Sequence, residues 1–150
     1  LINLLDQEHP LKKAIKSEFK EHLKHYCIQE PTYLDFTNLF CNINPPGSSN
    51  IMHHHTFGEF SGSLWIQAEE NSGQLLIMNP FYNRSINTCA VPKGGFGSDH
   101  FKFSKDYNAI HIDPEPNKGV FFNSNLVHYV DINRSQKDRI SIAYNIGIHY

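Results

Sequence analysis

Along residues 9–26 apolar side chains return every three or four positions, at Leu11, Ile15, Phe19, Leu23 and Tyr26. That is the period of an amphipathic helix with one buried stripe. Pro10 suits the first helical turn, where a missing N–H costs nothing, and Pro31 lies beyond the helix end. After Pro31 β-branched and aromatic residues take over, punctuated by Gly, Pro, Asn and Ser. This pattern predicts strands over 34–43, 60–68, 74–78, 107–112, 119–122, 126–132 and 139–148, with a loop over 44–50 and an irregular stretch over 79–105. The short turn 69–73 between two of these strands predicts that 60–68 and 74–78 pair as a hairpin. Short strands without interleaved helices predict a mainly β sandwich or jelly roll. The chain then reads as one domain over 1–150, with a helical N-terminal part over 1–30 and no repeat.

Length and charge narrow the picture. The 150 residues suit one domain of ordinary size. A net charge of -2 and a pI near 6.6 give no basic stripe to attract nucleic acid or an anionic membrane. Lys12, Lys13, Lys16, Lys20 and Lys24 alternate with Glu18 and Glu21 at helical spacing, which marks a solvated helix face. No apolar run reaches the length of a membrane span, and no signal peptide is visible. Cys27, Cys41 and Cys89 are odd in number, far apart and form no CxxC pair, as expected of reduced thiols in a cytoplasmic protein. The first residue is Leu1 rather than Met, which leaves open a longer natural N-terminus.

The chemistry is carried by histidine, of which the chain has ten. His53, His54 and His55 are consecutive. In an extended segment alternate side chains share a face, so His53 and His55 point one way and His54 the other. Two imidazoles on one face can bind one metal. The best candidate for a third ligand is His128, in the apolar strand Leu126-Val127-His128-Tyr129-Val130. Eleven residues later Arg139 and Ser141 share a strand face, where a guanidinium fork and a hydroxyl make a carboxylate clamp. Each feature also has a plain reading. A histidine triplet can be a polar loop, His128 a satisfied core histidine, and Arg139 a surface residue paired with Asp131 or Asp138. The remaining histidines, among them His22, His25, His100, His111 and His149, have no comparable context.

Several blocks of residues within 42–145 resemble a family. They are Asn42-Ile43-Asn44, Gly47, Asn50, His53-His54-His55 and Ser61-Gly62-Ser63-Leu64-Trp65, then Ser72-Gly73-Gln74-Leu75 and Asn79-Pro80. Gly119 to Ser124, His128 and Arg139 to Asn145 complete the pattern. The family is that of the iron(II)- and 2-oxoglutarate-dependent oxygenases found in phages and marine bacteria. The resemblance implies a double-stranded β-helix, the jelly roll of cupin-like proteins, with Fe(II) held by His53, His55 and His128. It implies 2-oxoglutarate as cosubstrate, its distal carboxylate on Arg139 with Ser141 assisting. The reaction implied is a dioxygenase reaction, a hydroxylation of a small molecule or a protein side chain.

Some positions depart from the pattern. Trp65 and Asn79 replace the family's Tyr and Asp, and Asn123 stands where it has Pro. The wider superfamily uses two histidines and a carboxylate, whereas no Asp or Glu lies two residues after any histidine of the triplet. Glu59 shares the parity of His53 and His55 and would reach the metal only if the loop turned back. All-nitrogen sites also suit zinc, nickel and copper. Two other functions therefore stay open, a cupin-like three-histidine metal protein that does not use 2-oxoglutarate and a non-enzymatic jelly-roll module. Residues 80–105 are the expected lid or substrate-facing loop.

Overall fold

The computed structural model describes residues 2–4, 9–25, 29–80, 102–103 and 109–150. The lid expected over 80–105 falls almost wholly outside the described residues, as do Cys27, Cys89 and His100.

The predicted helix is α1 (Pro10–Lys24). Its first turn is capped by His9, whose Nδ1 accepts a hydrogen bond from the Leu11 N–H at 3.1 Å, so an orphan donor of the helix start is satisfied. The stripe buries Ile15, Phe19 and Leu23. A strand, β1 (Ile2–Asn3), precedes the helix and pairs with residues 40 and 41. The N-terminal part is therefore not only helical, and two residues are too short a strand for periodicity to reveal.

Nine further strands follow among the described residues: β2 (Tyr33–Asn44), β3 (Asn50–His53), β4 (Phe60–Gln67), β5 (Leu75–Met78), β6 (Lys102–Phe103), β7 (Ala109–Ile112), β8 (Gly119–Asn123), β9 (His128–Val130) and β10 (Arg139–His149). They form two antiparallel five-stranded sheets, ordered β1-β2-β10-β4-β8 and β3-β9-β5-β7-β6. This is the mainly β jelly roll that the pattern predicts.

The expected hairpin between 60–68 and 74–78 does not form. β4 pairs with β10 and β8 in one sheet, and β5 pairs with β7 and β9 in the other. The turn between them is a corner that carries the chain from sheet to sheet. Asn71 and Gly73 adopt positive φ there (62° and 93°). Trp65 from β4 and Leu75 and Ile77 from β5 then pack in one interior cluster from opposite sheets. Burying that apolar surface outweighs the local preference for a hairpin.

β10 is the central strand of its sheet and separates two environments by its alternation. Ile142, Tyr144 and Ile146 face α1 and pack with Phe19, Leu23, Phe36 and Leu39. Arg139, Ser141, Ala143 and Asn145 face the cavity between the sheets. β2 runs beside it with Arg139 opposite Asn44, Ser141 opposite Asn42 and Ala143 opposite Phe40. A register shift between Asn145 and Ile146 leaves Thr37 as an extra residue in β2. The bulge lets Leu34, Phe36 and Leu39 all reach the helix side. Elsewhere in the interior Trp65, Leu75, Ile77, Ile112 and Phe122 form an apolar core.

Candidate metal centre

The cavity between the sheets gathers the candidate site residues. His53 ends β3, His55 lies just beyond it, and His128 opens β9, directly opposite His53 in the register. One ligand nitrogen from each of the three lies within 4.8 Å of the others. The ring centroids are 4.4 Å apart for His53 and His128, 4.9 Å for His53 and His55, and 5.0 Å for His55 and His128. Within the triplet only His53 belongs to a strand, yet the alternation carries on past the strand end. The His55 N–H donates to the Ser124 carbonyl at 3.0 Å and so keeps the backbone extended. His54 is exposed and outside the cluster.

Hydrogen bonds fix the tautomers of two rings. His53 Nδ1 lies 2.7 Å from the Ile51 carbonyl oxygen, and His128 Nδ1 lies 2.9 Å from that of Leu126. A carbonyl can only accept, so each Nδ1 carries the proton and each Nε2 is left with its lone pair. This is how metal-ligating histidines are oriented from behind. Phe122 packs edge-on against His128 at 4.8 Å between centroids. Burial, with His128, His53 and His54 nearby, pushes His55 down to about 4. Burial also lowers His128, partly offset by its bond to the Leu126 carbonyl. Both rings are therefore neutral bases at neutral pH, the form that binds a metal.

No carboxylate belongs to the cluster among the described residues. Glu59 is occupied elsewhere, its Oε2 accepting the Ile148 N–H at 2.8 Å.

Arg139 lines the same cavity and is 2% exposed. Its Nη1 donates to the carbonyls of Ser72 at 2.6 Å and Gly73 at 3.1 Å, with that of Asp131 at 3.5 Å. Its Nη2 donates to Asn50 Oδ1 at 3.4 Å. Neither carboxylate weighed as a surface partner pairs with it. The Asp131 carboxylate is held by Arg134 at 2.8 Å, and Asp138 meets a neighbour through its backbone carbonyl, which accepts from Gln67 at 2.8 Å. Arg139 is thus a buried cation without an ion pair among the described residues. Burial lowers its pKa and the charge of Asp131 pulls the other way, yet a guanidinium stays protonated in either case. Ser141, one turn of the pleat along β10, is 6% exposed and faces the cavity beside it.

The sequence placed His53, His55, His128, Arg139 and Ser141 in one site, and the fold brings all five to one cavity. It left Asn44, Asn50, Ser72 and Gly73 without a role, although they stood within the motif blocks. The Ser72 and Gly73 carbonyls and the Asn50 amide bind the Arg139 guanidinium, and Asn44 braces Asn50. Their presence in those blocks was the available signal. The partner shared by Asn50, Ser72 and Gly73 could not be read, because Arg139 is 66 or more residues away from each.

Solved structures of similar fold include an oxidoreductase of the 2OG-Fe(II) oxygenase family from Burkholderia pseudomallei, with a TM-score of 0.59 and 13% identity over 85% of this chain. AviO1 from Streptomyces viridochromogenes Tue57 matches with a TM-score of 0.59 and 14% identity over 97% of this chain and 64% of its own. The viral collagen prolyl hydroxylase of Paramecium Bursaria Chlorella virus-1, solved with 2OG, matches with a TM-score of 0.57 and 13% identity, covering 96% of this chain and 75% of its own. The chain spans about half of the Burkholderia protein, 51% of its length. At these identities the likeness concerns the fold. No protein of curated function matches the chain. The family described as "Putative 2OG-Fe(II) oxygenase" matches residues 38–145, which include the three clustered histidines, Arg139 and Ser141; the chain belongs to that 2OG-Fe(II) oxygenase family.

Proposed function

We propose that this chain is an Fe(II)- and 2-oxoglutarate-dependent dioxygenase domain acting as a hydroxylase, with His53, His55 and His128 as metal ligands. Arg139, assisted by Ser141, receives the distal carboxylate of 2-oxoglutarate. The observation that carries the reading is one cavity holding both a cluster of neutral imidazoles and a buried guanidinium that has no carboxylate partner among the described residues. Histidine nitrogens suit Fe(II), and a buried unpaired cation calls for an anion. One strand reaches both groups, because β3 carries Asn50 at the guanidinium and His53 at the cluster.

When bound, Fe(II) and 2-oxoglutarate would supply, with O2 as the oxidant, an oxidative decarboxylation to carbon dioxide and succinate, one oxygen atom entering succinate and the other a substrate C–H bond. The chain's own part is positional. The Ile51 and Leu126 carbonyls aim Nε2 of His53 and His128, while Trp65, Leu75 and Phe122 form an apolar wall of the cavity that excludes water. No helix among the described residues is long and apolar enough to cross a membrane. A reducing cytoplasm, which keeps iron divalent and Cys41 a free thiol, is part of the proposal. So is a single domain over 1–150 and a substrate that is a small molecule or a protein side chain. The viral neighbour, a collagen prolyl hydroxylase, favours the side chain.

Anaerobic calorimetry tests this. The protein should bind Fe(II), and the iron-loaded protein should then give heat with 2-oxoglutarate. Metal binding without a 2-oxoglutarate signal would move the assignment to a cupin-like three-histidine metal protein. No metal binding would leave a non-enzymatic jelly-roll module.

A further inference from the structure

Every acceptor that touches the Arg139 guanidinium among the described residues is electrically neutral. Three are backbone carbonyls, those of Ser72, Gly73 and Asp131, and the fourth is the amide oxygen of Asn50. The Asn50 oxygen is itself fixed, because Asn44 Nδ2 donates to it at 3.0 Å. Asn44 faces Arg139 across the β2–β10 register, so the amide pair bridges from β10 through β2 to β3. Gly73 is part of the same cradle. Its φ is +93°, and a Cβ there would meet Arg139 Nη1 at 2.6 Å. Asp131, the one acid within reach among the described residues, offers Arg139 its carbonyl and gives its carboxylate to Arg134 at 2.8 Å.

A buried arginine is ordinarily matched with a carboxylate, since an unpaired charge away from water is costly. Here carbonyls and an amide accept from Nη1 and Nη2 and supply no carboxylate to match the charge. Resting on the reading of Arg139 as the clamp for the cosubstrate's distal carboxylate, we propose that Asn50, braced by Asn44, is a positioning residue whose neutrality is the essential property: it orients the guanidinium without neutralising it. The chemistry favours asparagine over its near-isostere aspartate. An aspartate at that place would make as good a hydrogen bond, or a better one, and would occupy the charge that the ligand needs.

Asn50→Asp and Asn50→Ala separate this from a merely structural role. The measurement is calorimetry on the Fe(II)-loaded protein with two probes, 2-oxoglutarate and its 5-methyl ester, which has no distal charge. Asn50→Asp should hold Fe(II) as the parent does. Its affinity for 2-oxoglutarate should fall about tenfold or more, and its affinity for the ester should stay within a factor of about two. Equal losses for both probes, or no loss for 2-oxoglutarate, would overturn the inference. Should Asn50→Asp fail to fold, Asn50→Ala carries the test. The loosened guanidinium should weaken 2-oxoglutarate a few-fold, by roughly 1 kcal/mol of lost hydrogen bonding, and leave the ester unchanged; unchanged 2-oxoglutarate binding would overturn it. Arg139→Gln tells the two failures apart. If it binds 2-oxoglutarate as the parent does, the clamp reading itself falls. If it loses 2-oxoglutarate while Asn50→Asp does not, only the neutral cradle falls.

Discussion

At the scale of single residues, the two hydrogen bonds that fix the protons of His53 and His128 on Nδ1 make the cluster more than a coincidence of rings. Replacing His53, His55 or His128 with alanine should cost more than about a hundredfold in metal affinity, since even the groups behind such ligands cost ten- to a hundredfold. His54→Ala should change little, because His54 is exposed and outside the cluster. Titration of each variant with Fe(II) or Co(II) reads the difference, and equal losses from all four would sink the assignment. The lowered His55 gives a pH dependence in the metal-free protein. Its folded value is about 4 against an ordinary 6.5. Between those values the unfolded chain holds a proton that the folded chain does not, so stability falls as pH drops from about 6.5 toward 4. Thermal melts across that window should show the decline, and His55→Gln should lessen it, with the likewise lowered His128 keeping a part. The sequence made this level largely legible, because parity along an extended segment separates His53 and His55 from His54. It could not show Asn50 or Gly73 at work, since their roles exist only in relation to Arg139.

At the scale of elements, the turn between β4 and β5 shows what a local signal cannot decide. A short Asn- and Gly-containing turn between two apolar strands fits a hairpin and a corner equally well. The choice fell to distant partners, β10 and β8 for one strand and β7 and β9 for the other. Most strands were readable from period and composition, whereas β1, β3, β6 and the pairing were not. The corner also holds Arg139, through its Ser72 and Gly73 carbonyls. Gly73→Ala should therefore do two things. The positive φ costs about 1–2 kcal/mol for a residue with a Cβ, and that Cβ would meet Arg139 Nη1 at 2.6 Å as well as the Asp131 carbonyl. We expect a lower Tm and a loss of 2-oxoglutarate affinity with metal affinity preserved. Parent-like cosubstrate binding would show that the corner does not position Arg139. The helix can be tested separately. Phe19 is 0% exposed and stacks near Phe60 and Phe121 at 5.0 and 5.1 Å. Phe19→Ala should lower stability by about 3–5 kcal/mol, read by urea denaturation.

At the scale of the molecule, the two sheets contribute different parts of the site. All three histidines come from β3, the segment after it and β9, on one sheet's side, while Arg139 and Ser141 project from β10 of the other. The mainly β class was visible in the sequence because alternation and turn residues are local. The division of labour between sheets was not, since it depends on which strands share a sheet. It has a thermodynamic consequence. A metal bound by the histidines joins elements of one sheet, whereas 2-oxoglutarate held at both the metal and Arg139 joins the two sheets. A ligand that binds only the folded state stabilises it by about 2.7 kcal/mol at a hundred times its Kd. For a domain of this size that raises Tm by roughly 5–10 °C. Metal should raise Tm by one increment of this kind under anaerobic conditions, and 2-oxoglutarate should add a second only when metal is present. Arg139→Gln should keep the first increment and lose the second, while His128→Ala should lose both. A variant that loses the first and keeps the second would mean that 2-oxoglutarate binds without the metal, and the two ends of the proposed site would then belong to different ligands.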